Sequence, residues 1–341
     1  MKPIYVVSVM IFSFILIGCE KEIRTLFLDF KKPDYFPQPV YRFQQNPITK
    51  NGFELGRKLF FDPILSADNT ISCGSCHIPS TAFTHHGHSV SHGINDKLGT
   101  RNSPPIMNLA WVPSFMWDGG IADLDLQPIA PITSHIEMGE QMDNVLNKLR
   151  SSPTYPALFS AAFPGSEISN ANMLKALSQY MLMCVSAESK YDSVMRKEKV
   201  FSAEEQQGYT IFISKCNTCH TEPLFTDNSF RNNGLLPRLR DDEGRKLITL
   251  RDEDAYKFKV PSLRNLEYTP PYMHDGRFYS LDAVLDHYTT QVAVTPTLDP
   301  ILQQDGHVGI TLSTEERRLL KIFLKTLNDK HFVTNPQIAE P

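Results

Sequence analysis

Two copies of one five-residue pattern constrain this chain more than any other feature of its sequence. Residues 73–77 read Cys-Gly-Ser-Cys-His, and residues 216–220 read Cys-Asn-Thr-Cys-His. The shared pattern, Cys-x-x-Cys-His, attaches haem c: the two thiols form thioethers with the porphyrin, and the adjoining histidine ligates the iron. The sequence therefore predicts two covalent haem c groups, one held by Cys73, Cys76 and His77 and the other by Cys216, Cys219 and His220.

Zinc binding and thiol redox chemistry are the two alternatives for these cysteines. A structural zinc ion could use both Cys pairs, but zinc gives no reason for a histidine directly after each second cysteine. A thioredoxin-like dithiol would explain one of the motifs and leave the other unexplained. The repeated histidine therefore favours haem over both alternatives.

The bulk composition bounds the class of protein and its partners. The chain has 341 residues, of which 41% are hydrophobic, enough for two domains that each bury a core. Its net charge of −4 argues against nucleic acid as the main partner. Besides the four motif cysteines there are only Cys19 and Cys184, so the sequence predicts no disulfide framework. Cys184 lies in an apolar stretch and is predicted to be a buried core thiol.

The N-terminus has the pattern of an export signal. An apolar run over residues 4–17 follows Lys2 and is too short to span a bilayer comfortably. It ends in Gly18-Cys19, which resembles a bacterial lipoprotein cleavage site. We expect residues 1–18 to be a signal peptide and Cys19 to carry a lipid that contacts a membrane. The alternative is an ordinary signal peptide followed by an incidental cysteine. Both place the mature protein in the periplasm.

The rest of the chain divides into a tether and two domains. Residues 19–48 are Pro-containing and are predicted to be an extended tether. An N-terminal haem domain is predicted over residues 49–190 and a C-terminal haem domain over residues 191–335. The charged run over 188–199 marks the boundary between them.

Helical periodicity dominates both predicted domains. An apolar helix with a Gly-x-x-apolar-Phe pattern precedes each haem motif, at Gly56 and again at Gly208. Residues 171–185 also have a helical pattern, and Ser313 begins a capping box before a final apolar helix. Pro- and Gly-containing stretches at 102–139 and 221–280 are predicted to be loops that wrap the haems. The predicted fold is mainly α, with two cytochrome c-like domains that each surround one covalent haem.

Several longer segments carry a family resemblance. They are Leu55–Asp62, Arg101–Pro104, Phe115–Gly119, Ile136–Gly139, Lys259–Asn265 and Pro271–Arg277, in addition to the two haem motifs. Over residues 50–330 the chain resembles the bacterial di-haem cytochrome c peroxidases, a family that also contains the MauG-type di-haem oxidases. One departure is Gly120, where the family commonly has an arginine.

The resemblance implies a haem peroxidase that reduces hydrogen peroxide to water. The haem at His77 would be peroxidatic, and the haem at His220 would receive electrons from a small cytochrome c or a copper protein (a cupredoxin). One alternative is a MauG-like oxidase that uses peroxide to oxidise a protein or another substrate through high-valent haem iron. Another is a non-enzymatic electron-transfer protein. Family members often dimerise, so a homodimer is a further expectation.

The resemblance also assigns three catalytic residues. Glu137 matches the acid/base position, Gln127 matches its amide partner, and Trp117 matches the aromatic residue between the haems. A carboxyl group near the peroxide can move a proton from one oxygen to the other. Taken without the family, Glu137 would be a solvated loop carboxylate and Trp117 a core aromatic.

The sequence leaves the distal iron ligands open. By resemblance, a loop histidine caps the peroxidatic iron; His92 is nearest the matching position and His88 is its rival. At the second haem, peroxidases of the family place an axial methionine fourteen residues after the residue matching His274, which leads here to Tyr288. Met273 competes with Tyr288, and the two ligands have opposite effects on the potential.

A calcium ion between the domains is the last cofactor that the resemblance implies. Its predicted ligands are the side chain of Asn102 and the backbone carbonyls of Thr269 and Pro271. Oxygen donors on loops suit calcium. The alternative is that Asn102 only caps a turn.

Overall fold

The structure, a computed structural model, describes residues 30–238, 242–304 and 306–341. The predicted signal peptide (1–18) and the predicted lipidation site at Cys19 lie outside these residues. Among the described residues, no helix is both long and apolar enough to cross a membrane.

The chain is built mainly from short and medium helices. In the described residues the α-helices follow one another in this order: α1 Lys50–Phe61, α2 Cys73–Cys76, α3 Ile129–Thr133, α4 Met142–Ser151, α5 Tyr155–Ala162, α6 Asn170–Leu182, α7 Lys190–Met195, α8 Ala203–Lys215, α9 Lys246–Thr249, α10 Leu281–Asp286, α11 Thr314–Lys325 and α12 Lys330–Val333. A π-helical turn, His287–Gln291, continues α10. The mainly α class is confirmed.

Strands contribute only two small antiparallel ribbons to the described residues. β1 (Phe230–Arg231) pairs with β2 (Phe258–Lys259), and β3 (Gln303–Gln304) pairs with β4 (His307–Val308). Long loops therefore carry most of the chain around the haem motifs, as the Pro and Gly content of residues 221–280 predicts.

In the N-terminal half, α1 packs on α6 through a glycine. Thr49 caps α1, its hydroxyl accepting the Gly52 N–H at 2.9 Å. A Cβ on Gly56 would lie 1.9 Å from the carbonyl oxygen of Ala176 in α6, so only glycine allows the two backbones to approach this closely. This contact fixes the helix that leads into the first haem motif.

The C-terminal half repeats the arrangement with α8 and α11. A Cβ on Gly208 in α8 would lie 2.2 Å from the carbonyl oxygen of Leu319 in α11. The capping box predicted at the start of α11 is present: Ser313 N donates to Glu316 at 2.7 Å, and Glu316 N donates to the Ser313 hydroxyl at 3.2 Å. α11 therefore packs closely on α8, the helix that leads into the second haem motif.

The buried apolar residues form two clusters that correspond to the two halves. One runs from Phe36 to Ala187 and also takes in Phe332, Val333 and Ile338 from the C-terminus. The other runs from Tyr191 to Leu327. The chain thus crosses back to the first core after completing the second.

The extended tether predicted over 19–48 needs correction for its described part. Phe36 and Ile48 are buried in the first core, and Tyr35 donates its hydroxyl to Asp192 at 2.5 Å. The Pro37 carbonyl accepts the indole N–H of Trp111 at 2.8 Å. Apolar side chains between the prolines supply enough burial to dock residues 30–48, which composition alone does not reveal.

Candidate functional site

The first haem motif lies on a single helical turn. α2 spans Cys73–Cys76, and Ser72 and Ser75 form a capping box at its start. One turn brings both thiols to the same side of the helix. His77 Nδ1 lies 2.8 Å from the carbonyl oxygen of Phe83, which can only accept, so Nδ1 carries the proton and Nε2 is left to ligate iron.

The second motif follows α8 directly and orients its histidine in the same way. His220 Nδ1 lies 3.1 Å from the Pro261 carbonyl oxygen and 3.3 Å from that of Phe225. Burial lowers the pKa of both His77 and His220, which keeps the imidazoles in the neutral form that binds metal. None of the four motif cysteines is in a disulfide, so all four sulfurs are available for thioether bonds.

A cavity of about 250 Å³ opens beside the second motif. Cys216, Cys219 and His220 line it together with Tyr288 and Met273. The remaining wall is largely apolar, with side chains that include Val260, Leu281, Val284, Leu285, Leu302, Ile310, Leu320 and Leu324. Two thiols, a neutral imidazole and an apolar wall are the donor set and surroundings that a covalent haem requires, so these residues fit the group.

Zinc finds no support in the described residues, where no cluster of three or more His, Cys, Asp or Glu side chains could hold a metal ion. The two Cys pairs therefore do not converge on one ion.

Glu137 lies next to the first motif. Cys76 Sγ lies 3.4 Å from the His92 carbonyl oxygen, and the loop that follows His92 is hydrogen-bonded to the Glu137 backbone. Burial raises the pKa of Cys73 and Cys76, and the Glu137 carboxylate contributes in the same direction. Burial also raises the pKa of Glu137 itself. A carboxyl group with a raised pKa holds a proton more readily near neutral pH, as an acid/base catalyst must.

The loop that carries His92 packs against the segment that carries Glu137. Ile94 N donates to the Glu137 carbonyl at 2.8 Å, and a Cβ on Gly93 would lie 2.5 Å from the Glu137 Cα. His88 Nδ1 and His92 Nε2 are 3.0 Å apart, so the two rival ligands lie side by side. The distal ligand therefore stays a prediction that includes both histidines.

Gln127 contacts Met116 rather than a carboxylate: its Nε2 lies 3.7 Å from Met116 Sδ.

The residue after Met116, Trp117, lies where the two halves meet. The Trp117 indole N–H donates to the Asn102 carbonyl at 2.8 Å, and the Trp117 carbonyl accepts the Lys259 N–H at 2.7 Å. Trp117 also lines the cavity beside the second motif. It therefore lies next to one of the two haem sites between which the family resemblance predicts it.

Asn102, Thr269 and Pro271 all line the same cavity, so the structure brings the three predicted calcium ligands to one region. The Asn102 amide donates to the carbonyls of His88 and Ser89, both at 3.2 Å. The Asn102 N–H donates to the His274 carbonyl at 2.7 Å, which joins the loop after the first motif to the second half of the chain. Calcium binding itself stays a prediction.

Sequence reasoning missed a polar network at this junction. Arg101 forms a bidentate pair with Asp242, at 2.6 and 2.8 Å, and also donates to Asp118. Lys259 Nζ donates to the Ser114 carbonyl at 2.6 Å, and burial lowers its pKa to about 8. The isolated lysine between Phe258 and Val260 is the one signal that could have indicated a buried cation.

Fold and sites together define a class of protein. Two helical halves each present a Cys-x-x-Cys-His motif with an oriented histidine, and an indole lies at their junction. This is the architecture of a di-haem c-type redox protein.

Comparison with known proteins identifies the family within that class. The family model described as di-haem cytochrome c peroxidase matches residues 50–200. The methylamine utilization protein MauG of Methylorubrum extorquens is 36% identical over 332 residues, which cover 94% of this chain and 89% of that protein. The cytochrome c551 peroxidase of Pseudomonas aeruginosa is 34% identical over 260 residues, covering 73% and 75% of the two chains. The chain belongs to the di-haem cytochrome c peroxidase family.

A solved structure agrees over nearly the whole fold. A MauG-like protein associated with microbial copper homeostasis superposes with a TM-score of 0.83 at 30% identity, covering 92% of this chain and 99% of that one. Membership confirms the predicted haem peroxidase class, the two haem c groups and the cytochrome c-like domains. It leaves the roles of individual site residues and the calcium ion as predictions.

Proposed function

We propose that peroxide is reduced beside His77 and that electrons enter beside His220, from a small cytochrome c or a copper protein. The overall reaction takes up two electrons and two protons and converts hydrogen peroxide to two molecules of water. When bound, haem c supplies the iron chemistry that cleaves the O–O bond and the centre that stores the second electron. The single observation that carries this direction is the position of Glu137, half-buried and hydrogen-bonded through its backbone to the loop that also contacts Cys76.

Glu137 moves a proton between the peroxide oxygens in this proposal. Its carboxylate accepts a proton from the inner oxygen and returns it to the outer oxygen, which leaves as water. Burial raises the pKa of Glu137, which makes the carboxylate a better proton acceptor in the first half-step. Because the His92 loop packs against Glu137, the predicted distal histidine and the proposed acid/base residue lie on contacting segments.

Trp117 connects the two sites in this proposal. Its backbone carbonyl and its indole nitrogen are fixed by Lys259 and Asn102, from the two halves of the chain. Because both the backbone and the indole nitrogen of Trp117 are hydrogen-bonded, the ring keeps a constant position relative to the two sites, as repeated electron transfer requires.

The test is Glu137→Gln in the di-haem protein, assayed by peroxide-dependent oxidation of a reduced small cytochrome c. We expect kcat/KM to fall by about 10²–10⁴-fold while both haems stay attached, because the amide cannot carry the proton. Glu140→Gln is the matched control, since Glu140 lies three residues away and pairs with Lys148 at 2.8 Å. Full activity in Glu137→Gln would contradict the assignment.

A MauG-like oxidase is the second candidate, and Tyr288 favours it. Tyrosine ligation lowers the potential of a haem, which suits an enzyme that holds oxidising equivalents and passes them to a substrate. The two candidates separate when one-electron-reduced protein is mixed with peroxide and a reduced cytochrome c. Rapid donor oxidation supports the peroxidase. Persistent oxidising equivalents that disappear only on adding an oxidisable protein substrate support the oxidase.

We further propose that the protein works in the periplasm, held to a membrane by a lipid on Cys19 and able to form homodimers. The lipoprotein-like Gly18-Cys19 pattern supports the anchor, and haem c attachment outside the cytoplasm supports the compartment. Mass spectrometry of the mature N-terminus tests the lipid: an acylated Cys19 is expected, and an unmodified N-terminus would contradict it.

A further inference from the structure

One loop amide contacts both candidate ligands of the second haem. Asn233 Nδ2 lies 3.4 Å from the Tyr288 hydroxyl oxygen and 3.6 Å from Met273 Sδ. All three side chains line the cavity that His220 and its two cysteines also line. The oxygen and sulfur that compete for the iron therefore both lie beside one amide nitrogen.

The orientation of this amide is fixed by its surroundings. Asn233 Oδ1 accepts the Leu235 N–H at 3.3 Å, so the amide cannot turn its oxygen toward the ligands without losing that bond. The Asn233 carbonyl lies 3.0 Å from His287 Nε2, which must donate to it. Through His287, the residue next to Tyr288, the loop is attached to the π-helical turn that carries the tyrosine.

Tyr288 is held from its other side as well. Its carbonyl accepts the Ile310 N–H at 2.7 Å, and a Cβ on Gly309 would lie 2.6 Å from the same oxygen. The backbone of Tyr288 is thus fixed between two loops. Its phenol oxygen meets an N–H donor whose own position is set by hydrogen bonds.

We infer that Asn233 determines the ligand of the second haem by donating its N–H to the Tyr288 oxygen, which favours tyrosine over Met273. A tyrosine oxygen is a strong hydrogen-bond acceptor, whereas a thioether sulfur is a weak one, so the same donor stabilises the two ligands unequally. Hydrogen bonds from outside the coordination sphere orient ligands and tune the metal, and they are stronger against an apolar wall. Asn233 is a positioning residue, and the inference rests on the proposed ligation at this haem but not on turnover.

The test is Asn233→Asp in the purified di-haem protein, measured by absorbance, electron paramagnetic resonance and redox titration. Aspartate keeps an oxygen for the Leu235 N–H but has no N–H to offer. We expect the tyrosine-ligated signature of the ferric second haem to disappear, the near-infrared band of methionine ligation to replace it, and the potential of that haem to rise. Asn233→Leu removes the same N–H without adding charge, should the aspartate variant fail to yield di-haem protein.

Four further variants make the result decisive. Tyr288→Phe should show the same methionine spectrum, and adding Asn233→Asp to it should change nothing more. Met273→Leu should keep the wild-type spectrum. Asn232→Asp is the matched control, because the neighbouring Asn232 amide donates at 2.9 Å to Thr295 and Thr297 instead of to the ligands.

Each outcome decides the inference. An unchanged spectrum in both Asn233 variants overturns it, as does a wild-type protein that already shows methionine ligation. The same ligand change in Asn232→Asp also overturns it, by assigning the effect to the loop as a whole. Peroxide turnover by the wild-type protein, measured separately, distinguishes the two proposals. If the ligand changes in the Asn233 variants but the wild-type protein has no peroxidase activity, the role of Asn233 is supported and the proposed function is contradicted.

Discussion

Removing the guanidinium of Arg264 should strongly destabilise the protein. Arg264 and Asp192 are both fully buried and form two parallel bonds, Nη1–Oδ2 at 3.0 Å and Nη2–Oδ1 at 2.8 Å. Arg264 also donates to the Pro223 carbonyl, at 2.7 Å from Nη2 and 3.1 Å from Nε. The pair therefore attaches α7 to the two loop segments whose carbonyls, at Phe225 and Pro261, orient His220.

The magnitude comes from the charge that the substitution leaves behind. Arg264→Met strands the Asp192 carboxylate in the core, and breaking a buried pair in this way costs about 3–5 kcal/mol. Asp192 keeps three donors, from Tyr35 and from the N–H and hydroxyl of Ser189, so we expect the lower end of that range. Adding Asp192→Asn removes the stranded charge, and the double variant should recover at least about 1 kcal/mol.

Denaturant unfolding followed by far-ultraviolet circular dichroism measures these losses, and the absorbance of the second haem reports whether His220 still ligates it. Arg318→Met is the control, because Arg318 pairs with Glu315 and Glu204 on the surface and its loss should leave the unfolding curve unchanged. A loss below about 1 kcal/mol in Arg264→Met, or a double variant less stable than the single, would refute the reasoning.

Three other predictions concern the carboxylate, the helix contact and the calcium ion. Burial raises the pKa of Glu137 above its value in the unfolded chain, so the ionised carboxylate opposes folding at any pH above the unfolded pKa. Glu137→Gln should therefore raise the free energy of unfolding at neutral pH. This gain should vanish as the pH falls below the unfolded pKa. An equal gain at all pH values would show that the charge is not its cause. Gly208→Ala forces α8 away from Leu319 and should cost about 1–3 kcal/mol in urea unfolding, whereas Gln207→Ala, on the exposed face, should not. Removing calcium with a chelator should slow donor oxidation, and adding calcium but not magnesium should restore the rate, because the three predicted calcium ligands line one cavity. In Asn102→Ala the rates with and without chelator should be equal. Equal activity with and without chelator would remove calcium from the mechanism.

The parts of the fold that can be predicted from the sequence depend on local chemistry. The haem motifs are recognisable directly because attachment needs a fixed spacing of two cysteines and one histidine. Helical periodicity predicts a helix over 171–185, observed as Asn170–Leu182, and the residue pattern at Ser313 predicts the observed capping box. In each case neighbours within one or two turns determine the structure.

The parts that cannot be predicted depend on contacts between distant segments. Asn233 and Tyr288 are separated by 55 positions, and no periodicity links a loop asparagine to a tyrosine in a π-helical turn. The prolines of residues 30–48 suggest an extended tether, yet Phe36 packs in the core beside Trp111. Burial of this kind depends on which surface the rest of the chain leaves open.

The two haem sites differ because of their loops rather than their helices. The same glycine-mediated helix contact, at Gly56 and at Gly208, fixes the approach to each motif, and in both sites a backbone carbonyl sets the tautomer of the histidine. The loops beyond the two motifs are different: one set brings Glu137 beside the first pair of thiols, and another brings Tyr288 and Met273 to the second cavity around one amide. If the roles proposed for Glu137 and Asn233 hold, a duplicated scaffold places proton chemistry at one site and control of a redox potential at the other without any change in how haem is attached.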